Sequence, residues 1–260
     1  MKKIIYISIL VLLISFAVVF YFIFAAGNDS NTVSLLHMDG TDAATTFTDS
    51  ASGGTHTWTA NGNAQIDTAQ SKFGGASGLF DGTGDYLSAP DSEDWNFGSG
   101  DFTIDFWTRL TNVSVTNSFL GQIQNTINES FDLYHDTISL SFRYSTNGTS
   151  MIFAGERAWS ISLNTWYHVA ITRNGSSLRM FVDGVQLGAT FNVGSDTIFN
   201  SNQLLQIGAR ETGSPLNGWL DELRISKGIA RWTSNFTPPG CDYDSECGAP
   251  RPSDDMIVFE

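Results

Sequence analysis

Two consecutive β-strands are predicted by the stretch Trp166-Tyr-His-Val-Ala-Ile-Thr-Arg-Asn-Gly-Ser-Ser-Leu-Arg-Met-Phe-Val-Asp-Gly-Val185. Its first part, residues 166–172, has apolar side chains on both faces, which is typical of a strand in the middle of a sheet. Its second part, residues 178–185, contains Asp183-Gly184, a pair that readily adopts the positive φ angles of a type I′ hairpin turn. The stretch therefore predicts antiparallel β-structure.

The same pattern of short apolar runs continues on both sides of this stretch. Phe102-Thr-Ile-Asp-Phe106 alternates strictly between apolar and polar residues, as a half-buried strand does. Later strands are predicted at residues 204–208 and 219–225. No segment after residue 27 has a helical period of helix length. Residues 33–239 are therefore predicted to form one all-β domain, a two-sheet antiparallel sandwich.

Composition and charge limit the partners that this domain can have. Apolar residues make up 41% of the chain and charged residues only 15%, so a packed core can form. The formal net charge is −14 at pH 7, and every acidic residue lies beyond residue 27. Such a surface repels phosphate backbones, which argues against nucleic acid as a partner.

The N-terminus has the pattern of a membrane anchor. Lys2 and Lys3 precede an uncharged apolar run, residues 4–26, which as a helix is long enough to cross the roughly 30 Å hydrocarbon core. We predict a transmembrane helix within residues 1–27, with a cytoplasmic N-terminus because of the two lysines. Cleavage of this segment as a secretion signal stays an alternative. In both cases the domain lies outside the cytoplasm, either tethered to the membrane or secreted.

Two polar segments flank the predicted domain. Residues 28–32 have the composition of a short linker, and residues 240–260 that of an acidic tail containing Cys241 and Cys247. The spacing of these two cysteines does not match a redox or zinc motif. Outside the cytoplasm we expect them to close one small disulfide loop.

Five short motifs occur in order along the predicted domain. They are Gly78-Leu-Phe-Asp-Gly-Thr-Gly-Asp-Tyr-Leu-Ser-Ala-Pro90, Phe102-Thr-Ile-Asp-Phe-Trp107, Trp166-Tyr-His-Val-Ala170 with Phe181-Val-Asp-Gly184, Gln206-Ile-Gly208, and Asn217-Gly-Trp-Leu-Asp-Glu-Leu-Arg-Ile225. Together they resemble the laminin-G-like, concanavalin A-like jelly rolls, and residues 226–238 are similar to a variant frequent in phage and environmental-microbe proteins. The resemblance implies a jelly-roll sandwich that binds glycans or other proteins.

A minority of that superfamily hydrolyses glycosides, and the chain lacks the sequence that such enzymes need. Retaining glycosidases of this architecture carry an E-x-D-x-x-E string, which holds two carboxyl groups about 5–5.5 Å apart. No such string occurs: Glu129 and Asp132 have the wrong spacing, and Asp221 and Glu222 are adjacent, so alternation points them to opposite faces. We predict that the protein is not an enzyme.

Asp221 is the most informative polar residue of the predicted strands. A period of two places it on the same strand face as Trp219 and Ile225. If that face is buried, the carboxylate needs either several hydrogen bonds from a loop or a cation. In relatives, acids at this strand and near the first strand surround calcium, so the resemblance implies structural Ca²⁺ as the second possibility. The candidate ligands are Asp221, Asp39, Asp42 and Asp49.

Glycan binding requires aromatic faces beside amide or carboxylate groups. Trp58 and Trp159 lie near predicted loops, and Tyr144 and Asn147 lie in a turn-rich stretch, so these four are the candidates for ligand contact, with packing as the alternative for each. We therefore predict a membrane-tethered, extracytoplasmic carbohydrate-binding or adhesion module. Its partner would be a glycan or a cell-surface or virion protein. The alternative is a structural or protein-interaction domain of a phage or cell-surface assembly, without a sugar site.

Overall fold

The protein is an antiparallel β-sandwich in a computed structural model that describes residues 27–123, 127–210 and 213–244. A short 3₁₀ helix spans Glu93–Trp95. The strands are β1 (Thr32–Leu36), β2 (Thr59–Asn61), β3 (Gln65–Asp67), β4 (Ser77–Asp81), β5 (Tyr86–Ala89), β6 (Phe102–Leu110), β7 (Asn117–Gly121), β8 (Phe131–Asp136), β9 (Ser139–Ser145), β10 (Met151–Ala158), β11 (Tyr167–Asn174), β12 (Ser177–Val182), β13 (Val185–Gln186), β14 (Phe191–Asn192), β15 (Leu205–Ile207) and β16 (Asn217–Lys227). Residues 1–26, which contain the predicted anchor, lie outside the described ranges. Inside those ranges, no helix combines the length and apolar character needed to cross a bilayer.

The strands form two sheets whose order differs from the order of the chain. A nine-stranded sheet has the order β13-β12-β11-β6-β16-β4-β3, with β1 paired to β16 and β14 paired to β12. A seven-stranded sheet has the order β10-β9-β8-β7-β15-β5-β2. This arrangement confirms the predicted all-β sandwich and is consistent with a jelly roll.

The core lies between the two sheets and is built from alternate residues of their strands. Phe102, Ile104 and Phe106 of β6 are fully buried on the inner face of the nine-stranded sheet. The ring of Phe106 lies 4.9 Å, centre to centre, from that of Phe119 on β7 in the opposite sheet. The strict alternation of β6 therefore does what its sequence predicts: it buries one face of the strand.

The stretch that predicts antiparallel structure forms the centre of the nine-stranded sheet. Strand β11 pairs with β6 on one side and with β12 on the other, which confirms its predicted central position. The turn between β12 and β13 contains Asp183 and Gly184, with φ angles of 48° and 74°. Two consecutive positive φ angles are the signature of the predicted type I′ turn.

A β-bulge changes the predicted orientation of Asp221. Asp221 pairs with Trp107 and Arg224 with Asp105, so Glu222 and Leu223 together oppose a single residue of β6. Glu222 has a φ angle of 50°, as the extra residue of a bulge can. The strict period of two fails at this point.

The bulge places Asp221 and Arg224 on the outer face of the nine-stranded sheet. Ile225 lies in the core, so Asp221 does not share the face of Ile225 as the simple alternation predicts. It shares the face of Trp107, which lies opposite it on β6. The prediction that Asp221 and Ile225 share one strand face was therefore wrong, because the bulge lies between these two residues.

The outer face of the nine-stranded sheet is covered by residues 229–244, here called the C-terminal cover. Trp232 of this cover lies in a cluster with Ala170 and Phe181. Tyr243 is buried, and its hydroxyl donates a hydrogen bond to Asp105. Residues 240–244, predicted to belong to the tail, therefore pack against the sandwich.

The predicted linker is also attached to the sandwich. The two carboxylate oxygens of Asp29 accept hydrogen bonds of 3.1 and 2.9 Å from Arg231, and β1 begins at Thr32. Cys247 lies outside the described residues, so the disulfide between Cys241 and Cys247 stays a prediction.

Candidate ligand-binding face

The outer face of the seven-stranded sheet carries polar side chains because its strands alternate. In β8, Phe131 and Leu133 point into the core, so Asp132 and Tyr134 point outward. Arg143 of β9 lies opposite Asp132 and points outward in the same way. We call this surface the polar face and define it by six side chains. They are Ser118, Asp132, Tyr134, Arg143, Gln206 and Arg210.

A row of paired residues crosses the polar face over four neighbouring strands. Arg143 pairs with Asp132, Asp132 with Gly121 on β7, and Gly121 with Gln206 on β15. Gly121 is buried and has no side chain, so only backbone lies between Asp132 and Gln206 in this row. A Cβ atom at residue 121 would lie only 3.2 Å from Oδ1 of Asp132.

Two arginines converge on Asp132. Its side chain is fully buried, and its Oδ2 accepts hydrogen bonds from Nη2 of Arg143 and from Nη1 of Arg210, the latter at 3.0 Å. Both guanidinium groups lie 5.0 Å from the ring centre of Tyr134, within the range of a cation–π interaction. Burial raises the pKa of the Tyr134 hydroxyl above its ordinary value, so Tyr134 is neutral at neutral pH. The cluster therefore carries one positive charge in excess.

Several buried polar atoms of the polar face have no hydrogen-bond partner among the described residues. Three of them lie in one row: Nε of Arg143, Oδ1 of Asp132 and Oε1 of Gln206. A fourth, Oγ of Ser118, lies in the next row opposite Tyr134. Native proteins rarely leave such atoms unpaired, and these four are covered, so a partner reaches them only when a neighbouring side chain moves.

Space beside the polar face is available at one end of the sheet. An open depression of about 510 Å³ lies where β7 begins and β8 ends. Its lining includes Val115, Thr116, Thr137 and Ser214. The depression therefore lies at the end of two of the four strands of the polar face, and none of the six side chains that define the face lines it.

Comparison with known families agrees with the architecture. A sequence profile of the concanavalin A-like lectin/glucanases superfamily matches residues 81–231. The chain belongs to this superfamily. The matched residues include the four strands that build the polar face, β7, β8, β9 and β15. In contrast, no curated protein matches the chain in a sequence search.

Solved structures of the superfamily fold are similar to this chain at low sequence identity. The binding domain of Paraclostridial Mosquitocidal Protein 1 is 17% identical, with a TM-score of 0.59 over 77% of this chain and 50% of that one. The binding domain of botulinum neurotoxin DC, in complex with rat synaptotagmin II, is 17% identical, with a TM-score of 0.60 over 79% and 50%. This chain therefore spans about half the length of both toxin domains.

A third structure matches over nearly its whole length. It is domain 4 of AbnA, a GH43 extracellular arabinanase from Geobacillus stearothermophilus, in complex with arabinotriose. It is 17% identical, with a TM-score of 0.56, and the match covers 77% of this chain and 94% of that one. At such identities these likenesses establish the superfamily fold alone.

The predicted aromatic contacts do not lie on the polar face. Trp58, Tyr144 and Trp159 belong to the core, and their rings are buried. The hydroxyl of Tyr144 donates to Asp196 at 2.7 Å, and Trp159 is edge-on to a buried histidine. Asn147 is exposed, but its Oδ1 accepts backbone N–H bonds within the β9–β10 turn. The three rings pack in the core, which is the alternative that the sequence left open for each of them, because nearness to a loop in sequence does not determine exposure.

The four candidate calcium ligands have separate hydrogen-bond partners. Asp221 Oδ2 accepts from the backbone N–H groups of Lys72 and Phe73, at 2.7 and 3.2 Å. Both oxygens of Asp49 accept several hydrogen bonds, among them one from the backbone N–H of Leu35. Asp42 accepts from Thr68, and Asp39 accepts a backbone bond from Ala76.

These partners bear on the calcium hypothesis. In the described ranges, no three acid, histidine or cysteine side chains come together in a group that could hold a metal ion. Among these residues, Asp221 Oδ1 is buried without a partner and fits one cation contact. Both oxygens of Asp49, in contrast, already accept hydrogen bonds from protein groups. The four acids thus do not fit a common calcium site in this arrangement, and calcium binding stays a prediction.

The residues of the polar face were missed in the sequence, although a signal for them exists. Phe131-Asp-Leu-Tyr-His-Asp136 and Ser139-Leu-Ser-Phe-Arg-Tyr-Ser145 both alternate between apolar and polar side chains. Such alternation predicts an outward row in each strand. It does not reveal that Gln206 and Arg210, more than sixty residues further along, lie in the same place.

Proposed function

We propose that the polar face binds a carbohydrate and that the domain is a carbohydrate-binding or adhesion module held outside the membrane by its N-terminal segment. The observation that carries this proposal is the row of unpaired atoms formed by Arg143 Nε, Asp132 Oδ1 and Gln206 Oε1. Sugar hydroxyls donate and accept hydrogen bonds, so they satisfy donors and acceptors that lie side by side. These atoms are covered in the structure, so the partly exposed side chains of Arg143 and Arg210 must shift for sugar hydroxyls to reach them.

The borders of the polar face suit the rest of a sugar ring. Phe153 on the edge strand β10 lies opposite Arg143, and its side chain is 50% exposed. The guanidinium of Arg143 lies 5.5 Å from the centre of this ring, which holds the cation beside an apolar surface. A sugar ring has apolar C–H faces and polar edges. The Phe153 ring can pack against a C–H face, and the Arg143 guanidinium can hydrogen-bond to a polar edge.

The structural neighbours support binding more than catalysis. The AbnA domain has the same fold and is in complex with arabinotriose. The two toxin neighbours are binding domains, and one of them is in complex with a protein. A protein partner for this chain is therefore the alternative outcome of the test below.

Adding a methyl group at Gly121 should weaken carbohydrate binding. In Gly121→Ala, the new Cβ would lie 3.1 Å from the carbonyl oxygen of Phe131 and 3.2 Å from Asp132 Oδ1, so the Asp132 side chain must shift to admit it. We expect about tenfold weaker binding, which corresponds to about 1.4 kcal/mol. The purified full-length chain would first be screened on a glycan array, and the affinity for each bound glycan would then be measured by calorimetry.

The matched control is Gly240→Ala in the C-terminal cover, where a Cβ meets no atom of the described part of the chain within 4 Å. This variant should bind like the unchanged chain, and both variants should melt within a few degrees of it. An array with no bound glycan would contradict the carbohydrate proposal. A stable complex with a cell-surface or virion protein would then favour the protein-interaction alternative.

The membrane topology has its own test. Because Lys2 and Lys3 favour a cytoplasmic N-terminus, protease added to intact expressing cells should degrade the domain and leave a short membrane-bound fragment. Release of the whole domain into the medium would instead indicate cleavage of the N-terminal segment. Protection of the domain until the cells are lysed would contradict an extracytoplasmic location.

A further inference from the structure

The two arginines of the polar face are paired with their carboxylate differently from Arg224 and Arg231, two buried arginines that also meet an aspartate. Arg224 meets Asp105 with two parallel hydrogen bonds of 3.0 Å, from Nε to Oδ1 and from Nη2 to Oδ2. Arg231 likewise uses two nitrogens on the two oxygens of Asp29. In both pairs the planar fork of the guanidinium is filled by one carboxylate, which is the usual geometry of a structural ion pair.

Arg143 and Arg210 leave their forks open. Among residues 27–123, 127–210 and 213–244, each donates one hydrogen bond to the same oxygen of Asp132, and the other oxygen of that carboxylate receives none. The Nε of Arg143 is buried without a partner. One arginine is enough to neutralise Asp132, so the second positive charge has no counterpart within this cluster.

The net charge of this arginine cluster is positive, whereas that of the whole chain is negative. The chain has a formal net charge of −14, with 27 acidic and 13 basic side chains. An excess of positive charge at one place in such a chain attracts an anion locally while the remaining surface repels anions. Both arginine side chains are partly exposed, at 17% and 25%, so an incoming group can reach them.

From these observations we propose that the glycan bound by the polar face carries a carboxylate, as uronic acids and other sugar acids do. This inference rests on the proposed carbohydrate-binding function and names the class of sugar. The ligand carboxylate is received by the free N–H groups of Arg143 and Arg210, because a planar fork matches a carboxylate with two hydrogen bonds. Movement of the two partly exposed arginines towards this carboxylate uncovers Asp132 Oδ1 and Gln206 Oε1, which then accept hydrogen bonds from neighbouring sugar hydroxyls.

The decisive experiment compares each acidic glycan with its own carboxyl methyl ester, because esterification removes the charge and changes little else. The full-length chain is titrated with matched acid and ester forms of glucuronic, galacturonic and sialic acid oligosaccharides, and with neutral and sulfated glycans. We expect at least one acid form to bind at least tenfold more tightly than its ester. We also expect this preference to shrink as the salt concentration rises, since salt screens exposed charges.

Three arginine variants locate the effect. Arg143→Gln should abolish the preference for the acid over the ester, and it should stay folded because Arg210 still pairs with Asp132. Arg143→Lys keeps the charge without the planar fork and should retain only part of the preference. The control is Arg157→Gln on the edge strand β10, where Arg157 bonds the carbonyl of Ala189, and it should leave the preference unchanged.

Other results would overturn the inference in distinguishable ways. If esters and neutral glycans bind as tightly as acids, and Arg143→Gln weakens all of them equally, the face is a neutral-sugar site. If sulfated glycans bind and carboxylated ones do not, the arginines receive a sulfate ester and not a carboxylate. If no glycan of any charge binds, the proposed function itself fails together with this inference.

Discussion

Replacing Arg224 with methionine should destabilise the sandwich more than any other single change considered for this protein. Arg224 is fully buried on the outer face of the nine-stranded sheet and donates two hydrogen bonds to the fully buried carboxylate of Asp105. Without the guanidinium, Asp105 would remain as a buried charge lacking its main partner. Loss of one member of a buried ion pair typically costs about 3–5 kcal/mol. For a domain of this size, that corresponds to a fall in melting temperature of roughly 6–20 °C.

The pKa of Asp105 indicates how strongly this pair holds the carboxylate ionised. Burial alone would raise that pKa, but the charge of Arg224 and the hydrogen bond to His168 lower it by more, to well below its ordinary value. Asp105 is therefore ionised in the folded protein at any pH at which the protein is normally handled. The stability that it contributes is present above its ordinary pKa of 3.8 and is lost only as the pH falls below that value.

Arg224 also supports the C-terminal cover, so its loss should have a second, local effect. Its guanidinium carbon lies 3.9 Å from the ring centre of Tyr243, whose hydroxyl donates to Asp105. In Arg224→Met, residues 240–244 should detach more readily, and limited proteolysis should cleave them earlier than in the unchanged chain. Melting curves and the time course of cleavage are the two measurements.

The matched control for Arg224→Met lies on a neighbouring strand. Arg109 of β6 is a partly buried arginine whose guanidinium lies 5.0 Å from the ring centre of Trp219. Arg109→Met should cost less than about 1 kcal/mol, as surface substitutions usually do. In the double variant Asp105→Leu with Arg224→Met, most of the lost stability should return, because neither charge is left unpaired. Equal melting temperatures for Arg224→Met and Arg109→Met would contradict the assigned role.

The sequence predicted the sandwich because the relevant signals are local. The alternation in β6, the Asp-Gly turn after β12 and the doubly apolar β11 each depend on a few adjacent residues, and each was found in the structure as predicted. Burial of an apolar strand face and a turn with positive φ angles are decided by short-range chemistry. The fold class therefore needed no knowledge of strand order.

The candidate site was not predicted because it depends on strand order and register. Gly121 and Gln206 are neighbours only because β15 inserts between β7 and β5, far from both in sequence. The strand face of Asp221 was misjudged for a related reason, since one extra residue in β16 reverses the alternation from that point on. Trp58 and Trp159 show the same limit, because a side chain near a predicted loop can still pack in the core.

Replacing Asp221 with asparagine should make the protein more stable at pH 8 and should flatten the dependence of its stability on pH. Asp221 is fully buried, and burial raises the pKa of its carboxyl to about 8, with smaller contributions from the charges of Glu222 and Asp39. In the unfolded chain the pKa returns to about its ordinary value of 3.8. Between these two values the folded protein holds a proton that the unfolded chain has released.

The sign of the effect follows from this difference. The stability that protonated Asp221 permits is fully present below pH 3.8 and decreases as the pH rises towards about 8, by up to about 1.4 kcal/mol per pH unit. Asparagine does not titrate, and its side-chain oxygen still accepts the hydrogen bonds from the N–H groups of Lys72 and Phe73. The variant and the unchanged chain should therefore be similarly stable near pH 4 and diverge steadily up to pH 8.

His37, in the same region, also makes stability depend on pH. It does so equally in the unchanged chain and in Asp221→Asn, so it does not affect the difference in stability between them. Burial alone would lower the pKa of His37, but the carboxylates of Glu222 and Asp244 raise it from 6.5 to about 9. Its stabilising charge is present below pH 6.5 and is lost as the pH rises through 9, so it adds to the decline above pH 6.5. Subtracting the curve of Asp221→Asn from that of the unchanged chain isolates the contribution of Asp221.

Denaturant titrations at intervals from pH 4 to pH 8 give the two curves. Parallel curves would contradict the prediction, because they would mean that Asp221 is already ionised in the folded protein. An ionised Asp221 is the state that a bound cation at its unpaired Oδ1 would favour, so the series should be repeated with a calcium chelator and with excess calcium. Divergence of the curves in the chelator and convergence in excess calcium would assign the ionised state to calcium. Divergence in both would leave hydrogen bonding by Lys72 and Phe73 as the whole role of this carboxyl group.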